Sequence, residues 1–162
     1  MALIVSESSQ GGDIVSKVDY GDLTVGNSGQ KAFYLRNTYN NYISDVTLYY
    51  NETQSGYDGN ASASTDFAEM KEWGDNDATH TTDGVFLSQD GAASWTQLQT
   101  NQLDSQSNGV LISTTSGVST NEQIQGGGTD EGVVYTKISV PSGEADGGIR
   151  NFDLNIYYKY TS

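Results

Sequence analysis

The sequence predicts an all-β fold, a β-sandwich of Ig-like or jelly-roll type with at most one short helix. Apolar and polar residues alternate along several segments, which is the pattern of strands with one buried face. Clusters of Gly, Asn and Ser separate these segments, and the 162-residue chain contains 19 Gly. Long helical patterns do not intervene between the strands, which argues against an alternating α/β sheet.

The first predicted element is a short apolar segment at residues 2–5, followed by a polar run and the hinge-like pair Gly11-Gly12. We therefore divide the chain into residues 1–12, an N-terminal arm or edge strand, and residues 13–162, a single β-sandwich domain. The arm can add to the sheet edge of a neighbouring molecule, or it can pair with its own sheet. Its interface side chains in the first case are Leu3, Ile4 and Val5.

Three strands are predicted next, at residues 13–20, 31–37 and 44–50. The last two flank an Asn-rich loop at residues 37–42 and form a predicted hairpin. Alternation assigns the following side chains of this hairpin to the core: Phe33, Leu35, Val46, Leu48 and Tyr50.

A short helix is predicted at residues 66–73, where Asp66 and Glu69 form a capping-box pattern. Residues 125–132, rich in Gly, are predicted to form a solvated loop. The final strand has the most regular alternation, so we expect it to lie centrally in a sheet. Tyr160 shares the inward face of this strand with four residues that we expect to be buried: Phe152, Leu154, Ile156 and Tyr158. The predicted strands of the second half span residues 84–88, 94–100, 109–113, 132–140 and 152–160.

The charge balance excludes two classes of partner. The chain carries 7 Lys and Arg against 21 Asp and Glu, a net charge of −14. It has no basic face for nucleic acid, and an anionic membrane would repel it. The apolar run at residues 2–5 is too short for a signal-peptide core or a membrane span. With no Cys, disulfides, thiol nucleophiles and zinc–thiolate sites are excluded as well.

The residue inventory also argues against catalysis. The single imidazole belongs to His80, which lies in a polar run without apolar framing, so a Ser or Thr nucleophile lacks a base. Nearly every Asp lies beside turn-forming residues, whereas a general acid needs an apolar pocket that raises its pKa. We therefore expect a protein that is not an enzyme and binds no cofactor.

One oxygen-rich segment could hold Ca²⁺, because Asp75, Asp77 and Asp83 supply carboxylates within a short stretch. Its spacing does not match an EF-hand. Asp and Asn in such a stretch also serve turn chemistry and solubility, and we favour that interpretation, which leaves the protein without a metal.

Tyrosines are the residues with the clearest capacity for binding. Exposed Tyr supplies amphipathic contact area for a protein or a sugar ring, although cross-strand packing explains an outward Tyr equally well. The candidates are Tyr39, Tyr42 and Tyr57 in predicted loops, and Tyr49 and Tyr157 on strand faces opposite the core.

Two segments resemble parts of Ig-like domains in bacterial and phage surface proteins. Residues 33–48 are similar to a hairpin in which a strand enters an Asn-Thr-Gly-Asn turn and returns as a Ser-Asp-Val strand. Tyr39 replaces the usual turn glycine here, so Asn40 or Asn41 is the expected left-handed residue. Residues 132–160 resemble the closing hairpin of the same domains. Together the two segments are similar to accessory virion proteins of tailed phages, especially head decoration proteins.

The resemblance implies a capsid decoration, or cement, protein on the outer surface of a phage head. Its implied partners are the major capsid protein and further copies of itself in a homo-oligomer. The implied location is the virion surface, after synthesis in the host cytoplasm without a signal peptide. Two other functions stay open: a carbohydrate-binding module or adhesin, built from loop Tyr beside Asp and Asn, and a tail fibre or spike component.

Overall fold

The computed structural model describes residues 3–6, 8, 20–52, 82–88, 92–98, 107, 110–111, 123–128, 131–143 and 152–160. The strands in these ranges are β1 (Leu3–Ser6), β2 (Ser28–Asn37), β3 (Ile43–Glu52), β4 (Gly84–Ser88), β5 (Thr96–Gln97), β6 (Val110–Leu111), β7 (Glu131–Ser139) and β8 (Phe152–Tyr160). They form two antiparallel sheets, which confirms the predicted all-β fold class. The predicted strand at residues 13–20, apart from Tyr20, and the predicted helix at residues 66–73 lie outside the described residues.

The larger sheet has five strands in the order β1-β2-β7-β4-β5. Its centre is the long pairing of β2 with β7, in which Ser28 lies opposite Ser139 and Arg36 opposite Glu131. On the other side of β2, β1 pairs antiparallel, with Leu3 opposite Asn37. The N-terminal segment therefore forms an edge strand of the chain's own sheet.

The smaller sheet has three strands in the order β6-β3-β8, and its pairing contains one irregularity. The register of β3 against β8 shifts between Ser44 and Thr47. In this interval Asp45 has a left-handed φ of 51°, a conformation that Asp adopts more readily than most residues. Such a bulge adds one residue to β3. Because of it Ile43 and Val46, three positions apart, are both fully buried.

The two sheets share one hydrophobic core. The hydroxyl of Tyr50, on β3, donates a hydrogen bond to the carbonyl oxygen of Phe86, on β4, at 3.2 Å, which joins the sheets directly. Burial raises the pKa of Tyr50 well above its usual value. The alternating residues of β2, β3 and β7 supply the core as predicted: Phe33, Leu35, Val46, Leu48, Tyr50, Val134 and Ile138.

The predicted hairpins are wrong, although their strands exist. β2 and β3 belong to different sheets, and so do β7 and β8. Each of these connections crosses from one sheet to the other, so that β2 pairs with β7 and β3 pairs with β8. Alternation reports which face of a strand is buried but not which strand lies beside it. The two segments that resemble known hairpins are therefore sheet-to-sheet crossings.

Residues 123–128 form backbone hydrogen bonds with the chain where it crosses from β2 to β3. Ile124 exchanges backbone hydrogen bonds with Ile43, at 3.0 and 3.1 Å. The amides of Gly127 and Gly128 donate to the carbonyl oxygens of Tyr39 and Asn37, at 2.7 and 2.8 Å. This contact replaces the local turn that the sequence predicted, and neither of the expected residues, Asn40 or Asn41, has a positive φ.

Two further expectations need correction. The last strand, β8, lies at an edge of the described three-stranded sheet rather than at its centre, and Leu154, Ile156 and Tyr158 are half-buried against the core. The predicted solvated loop ends early, because Glu131 begins β7 and is 2% exposed. An edge strand alternates as regularly as a central one when a single face packs, so its pattern does not reveal its place.

Candidate functional site

Four tyrosines gather where the crossing loop meets the end of β8. Tyr39 and Tyr42 lie in the loop between β2 and β3, while Tyr158 and Tyr160 end β8. The register explains their proximity, because Ile43 lies opposite Tyr160 and thus brings the end of β8 beside the loop. We call these four residues the tyrosine cluster.

The rings of the cluster have defined contacts. The centroids of Tyr39 and Tyr160 lie 4.6 Å apart with the ring planes tilted by 43°, a favourable aromatic geometry. The hydroxyl oxygens of Tyr39 and Tyr158 are 3.5 Å apart. The hydrogen bond with Tyr39, followed by partial burial, raises the pKa of Tyr158.

A buried amide holds the loop that carries Tyr39. The backbone amide of Tyr39 donates to Oδ1 of Asn37 at 2.9 Å. Nδ2 of Asn37 donates in turn to the carbonyl oxygens of Asn41 at 2.8 Å and Ile124 at 3.0 Å. Because Asn37 is 0% exposed, these bonds are shielded from water and strong. Tyr39 is therefore fixed before any partner arrives.

The outer part of the cluster is open to solvent. Tyr42 is 37% exposed and Tyr160 is 47% exposed. The ammonium of Lys159, which precedes Tyr160 on β8, lies 2.7 Å from the Asp45 carboxylate, and this hydrogen bond raises the pKa of Lys159. Successive residues of a strand point to opposite faces, so this ion pair lies on the outer face of the sheet and the Tyr160 ring on the inner one. The cluster itself thus offers aromatic rings and phenolic hydroxyls, which suit a binding surface.

Sequence analysis found half of this cluster. Tyr39 and Tyr42 were expected to be exposed in a loop, but Tyr158 and Tyr160 were expected on the core face of β8. Tyr160 lies opposite the fully buried Ile43, but its ring packs against Tyr39 of the crossing loop and stays 47% exposed. Only the pairing of β8 with β3 reveals this, and the sequence carries no signal for that register.

The remaining tyrosine candidates separate into two groups. Tyr49 and Tyr157 are half-buried on the outer face of the three-stranded sheet, where Tyr157 lies opposite Thr47, two residues from Tyr49. This places them on one face as diagonal neighbours, within reach of cross-strand packing. Tyr57 lies outside the described residues.

The three candidates in the N-terminal segment point in different directions. Leu3 and Val5 pack against the core of their own molecule. Ile4 lies opposite Arg36, on the outer face of the five-stranded sheet, and is half-buried. The apolar character of this segment is therefore partly explained by intramolecular packing.

Of the three acidic residues proposed as calcium ligands, Asp83 alone lies within the described residues. Asp75 and Asp77 lie outside the described residues. The carboxylate of Asp83 accepts a hydrogen bond from the hydroxyl of Ser139 at 3.2 Å, and its carbonyl oxygen accepts one from Gln97 at 2.8 Å. Within the described ranges, no three acidic or histidine side chains group as metal ligands.

Sequence analysis missed a second aromatic contact on the outer face of the larger sheet. The ammonium of Lys137 lies 4.2 Å from the ring centroid of Phe86 and 4.9 Å from that of Trp95. Lys137 and Phe86 are directly opposite residues of β7 and β4, so the register creates this contact. Burial lowers the pKa of Lys137, and the two rings compensate the charge by cation–π attraction.

Comparison of the chain with protein-family models, with curated proteins and with solved structures finds no match in any of the three. In the part of the chain that the structure describes, no helix is long and apolar enough to cross a membrane.

Proposed function

We propose that the protein is a non-enzymatic virion structural protein, a capsid decoration protein that binds the outer surface of a phage head through its tyrosine cluster. Its partners in this proposal are the major capsid protein and further copies of itself. The sequence resemblance supplies the virion context. The chemistry of the site supplies the mode of contact.

A pre-organised aromatic surface on an otherwise acidic, polar protein supports this role. Tyr buries a large amphipathic area at a small cost in side-chain entropy, and it is enriched at the centres of protein interfaces. Asn37 and Gly127 already hold the Tyr39 loop, so docking requires little further ordering. The net charge of −14 keeps the unbound protein dispersed, and contacts at the cluster must outweigh this charge on assembly.

A carbohydrate-binding role is the second candidate, and one observation favours it. The exposed rings of Tyr42 and Tyr160 lie at one end of the sheets, where the hydroxyls of Tyr39 and Tyr158 also meet. Sugar recognition combines an aromatic platform with neighbouring hydrogen-bonding groups of this kind. A sugar needs a concave platform, whereas a capsid contact needs a flat or self-complementary one.

Copy number in purified particles provides the first test. Mass spectrometry of virions should find the protein in numbers comparable to those of the major capsid protein. A handful of copies per particle would indicate a tail fibre or spike, and absence from particles would contradict the proposal.

A binding assay with matched variants tests the site. Tyr160→Ala and Tyr42→Ala should each weaken binding to particles that lack the protein by about tenfold, the loss expected for an interface tyrosine. Tyr135→Ala is the control, because Tyr135 is a half-buried tyrosine on the outer face of the other sheet. Equal losses in all three variants would show that the cluster is not the contact. If Tyr42→Ala and Tyr160→Ala lost binding to immobilised glycans while their binding to particles stayed unchanged, the carbohydrate-binding role would be favoured.

A further inference from the structure

The edge strand β1 differs from the other edges of the described sheets. β5 and β6 are two residues long, and β8 carries Lys159, a charged residue of the kind that blocks pairing at an edge. β1, in contrast, has the sequence Leu-Ile-Val-Ser, without charge, Pro or bulge. An uncharged apolar edge offers unpaired backbone groups to another strand.

We propose that β1 is a self-association edge, at which two copies of this chain pair their β1 strands antiparallel into one continuous sheet. This inference rests on the self-association within the proposed function and assigns it a surface separate from the tyrosine cluster. Because its tests use the isolated protein, their failure would leave the proposed capsid contact standing. The occupant is a second copy because the edge is complementary to itself in side-chain direction and in charge.

Side-chain direction limits the register of such a pair. Leu3 and Val5 face the core, and Ile4 faces outward with Arg36. Directly opposite residues of a sheet must point to the same face. A two-fold axis at Ile4 satisfies this rule and pairs all three apolar residues, with Ile4 opposite its own symmetry copy and Leu3 opposite Val5 of the second molecule, whereas a register centred on Val5 would place Ile4 opposite Ser6. In this register both cores continue across the junction, as an isologous dimer requires.

Charge permits the association despite the acidity of the chain. The described strands carry four basic and four acidic residues, so their net charge is zero and the whole excess of −14 lies in the other segments. Those residues are Lys31, Arg36, Lys137 and Lys159 against Asp45, Glu52, Glu131 and Asp153. β1 itself carries no charged residue, so like charges do not face each other within the paired strands, and salt screens the repulsion between the rest of the two chains.

Disulfide trapping tests the register directly. The chain has no Cys, so Ile4→Cys introduces a single thiol at the two-fold axis. Opposite Cβ atoms in an antiparallel pair lie about 5 Å apart, close enough for a disulfide after slight adjustment. Mild oxidation of dilute protein should convert most Ile4→Cys chains into a covalent dimer. Ser28→Cys, exposed at the far end of β2 on the same outer face, is the control and should stay monomeric.

Sedimentation provides a second readout that does not depend on a thiol. The wild-type chain should shift from monomer to dimer as salt rises to about 1 M, where the screening length falls to about 3 Å. Ile4→Lys places two like charges opposite each other and should raise the dimer dissociation constant by about tenfold or more, whereas Ser28→Lys should not. Circular dichroism verifies that both variants fold.

Two results would overturn the proposal. One is a wild-type chain that sediments as a monomer at every salt concentration. The other is cross-linking of Ile4→Cys no faster than that of Ser28→Cys, which would place β1 in contact with nothing or with a different protein.

Discussion

At the scale of single residues, Asn37 shows how one buried side chain can organise a site. Its side-chain oxygen accepts a hydrogen bond from the backbone N–H of Tyr39, and its side-chain nitrogen donates to two carbonyl oxygens. One of these oxygens belongs to Ile124, 87 positions away in the sequence. An Asn at the end of a strand is ordinarily interpreted as a turn residue. Here it joins two distant segments, so its role became visible only with the tertiary structure.

Gly126 is the residue whose replacement should disturb this arrangement most. A Cβ at this position would overlap the carbonyl oxygens of Asn40 and Tyr39, both backbone atoms that have little room to move. Gly126→Ala should lower the free energy of unfolding by about 1–3 kcal/mol, as overpacking does. Thermal unfolding measures the loss. Gly143→Ala is the control, since a Cβ at Gly143 meets no atom within 4 Å, and equal losses in both variants would contradict the prediction.

The buried phenols predict how stability depends on alkaline pH. Burial raises the pKa of Tyr20 to about 12, although its hydrogen bond to Thr136 opposes the shift, and burial raises the pKa of Tyr50 well above its usual value. In the unfolded chain both ionise near pH 10. Their stabilising effect is therefore complete below pH 10 and is lost as pH rises through the folded-state pKa values.

Denaturant titrations between about pH 8 and about pH 12 test this linkage. This range includes the unperturbed pKa of Tyr, about 10, and the raised pKa of Tyr20, about 12. Tyr50→Phe should lower stability near neutral pH by about 1 kcal/mol, because its hydrogen bond to Phe86 is lost. The same variant should show a shallower decline above pH 10 than the wild type. An unchanged slope in Tyr50→Phe would show that this phenol is not protected.

At the scale of elements, position in the sheet decides what a core residue contributes. Leu48 lies on the central strand β3 and is fully buried, whereas Leu154 lies on β8 at the sheet edge and is half-buried. Leu48→Ala should therefore cost about 2–5 kcal/mol, and Leu154→Ala should cost distinctly less. Chemical denaturation gives both values. A larger loss in Leu154→Ala would contradict the observed order β6-β3-β8.

The strands could be predicted from the sequence to a large extent, and their pairing could not. Predicted segments coincide with β2, β3, β4, β7 and β8, because alternation is a local property that one buried face imposes. Whether a loop such as residues 38–42 closes a hairpin or crosses between sheets depends on what packs against it. Here that is Ile124 and the glycines that follow it, a contact between distant residues that no local pattern encodes.

In the tyrosine cluster, too, some residues could be predicted from the sequence and others could not. Tyr39 and Tyr42 could be identified because loop residues are exposed as a rule. Tyr160 was assigned to the core face by alternation, and the assignment of its face was sound. Its ring, however, packs against Tyr39 and stays 47% exposed, although Ile43 directly opposite is fully buried. What packs against the end of an edge strand is tertiary information.

At the scale of the whole molecule, charge is segregated along the sequence. The described strands are neutral as a set, and the rest of the sequence carries the net charge of −14. Neutral strands can pack and pair without local repulsion, while a high net charge opposes association between copies. Under the proposed function, the contact at the tyrosine cluster must outweigh this repulsion.

The same segregation predicts how salt affects stability. At pH 7 the compact state concentrates 14 uncompensated negative charges, and their mutual repulsion destabilises the fold. Added NaCl screens this repulsion and should raise the melting temperature. The ion pair between Asp45 and Lys159 opposes the trend only weakly, because both side chains are exposed, at 45% and 62%, and such pairs contribute little.

Repeating the measurement near pH 4.1, the isoelectric point, isolates the cause. The net charge vanishes there, so the increase in melting temperature with NaCl should largely disappear if long-range repulsion is responsible. An increase of the same size at both pH values would point instead to a general effect of salt on apolar burial. A melting temperature that falls with NaCl at pH 7 would mean that attractive pairs dominate the electrostatics of the fold, contrary to the segregation of charge away from the strands.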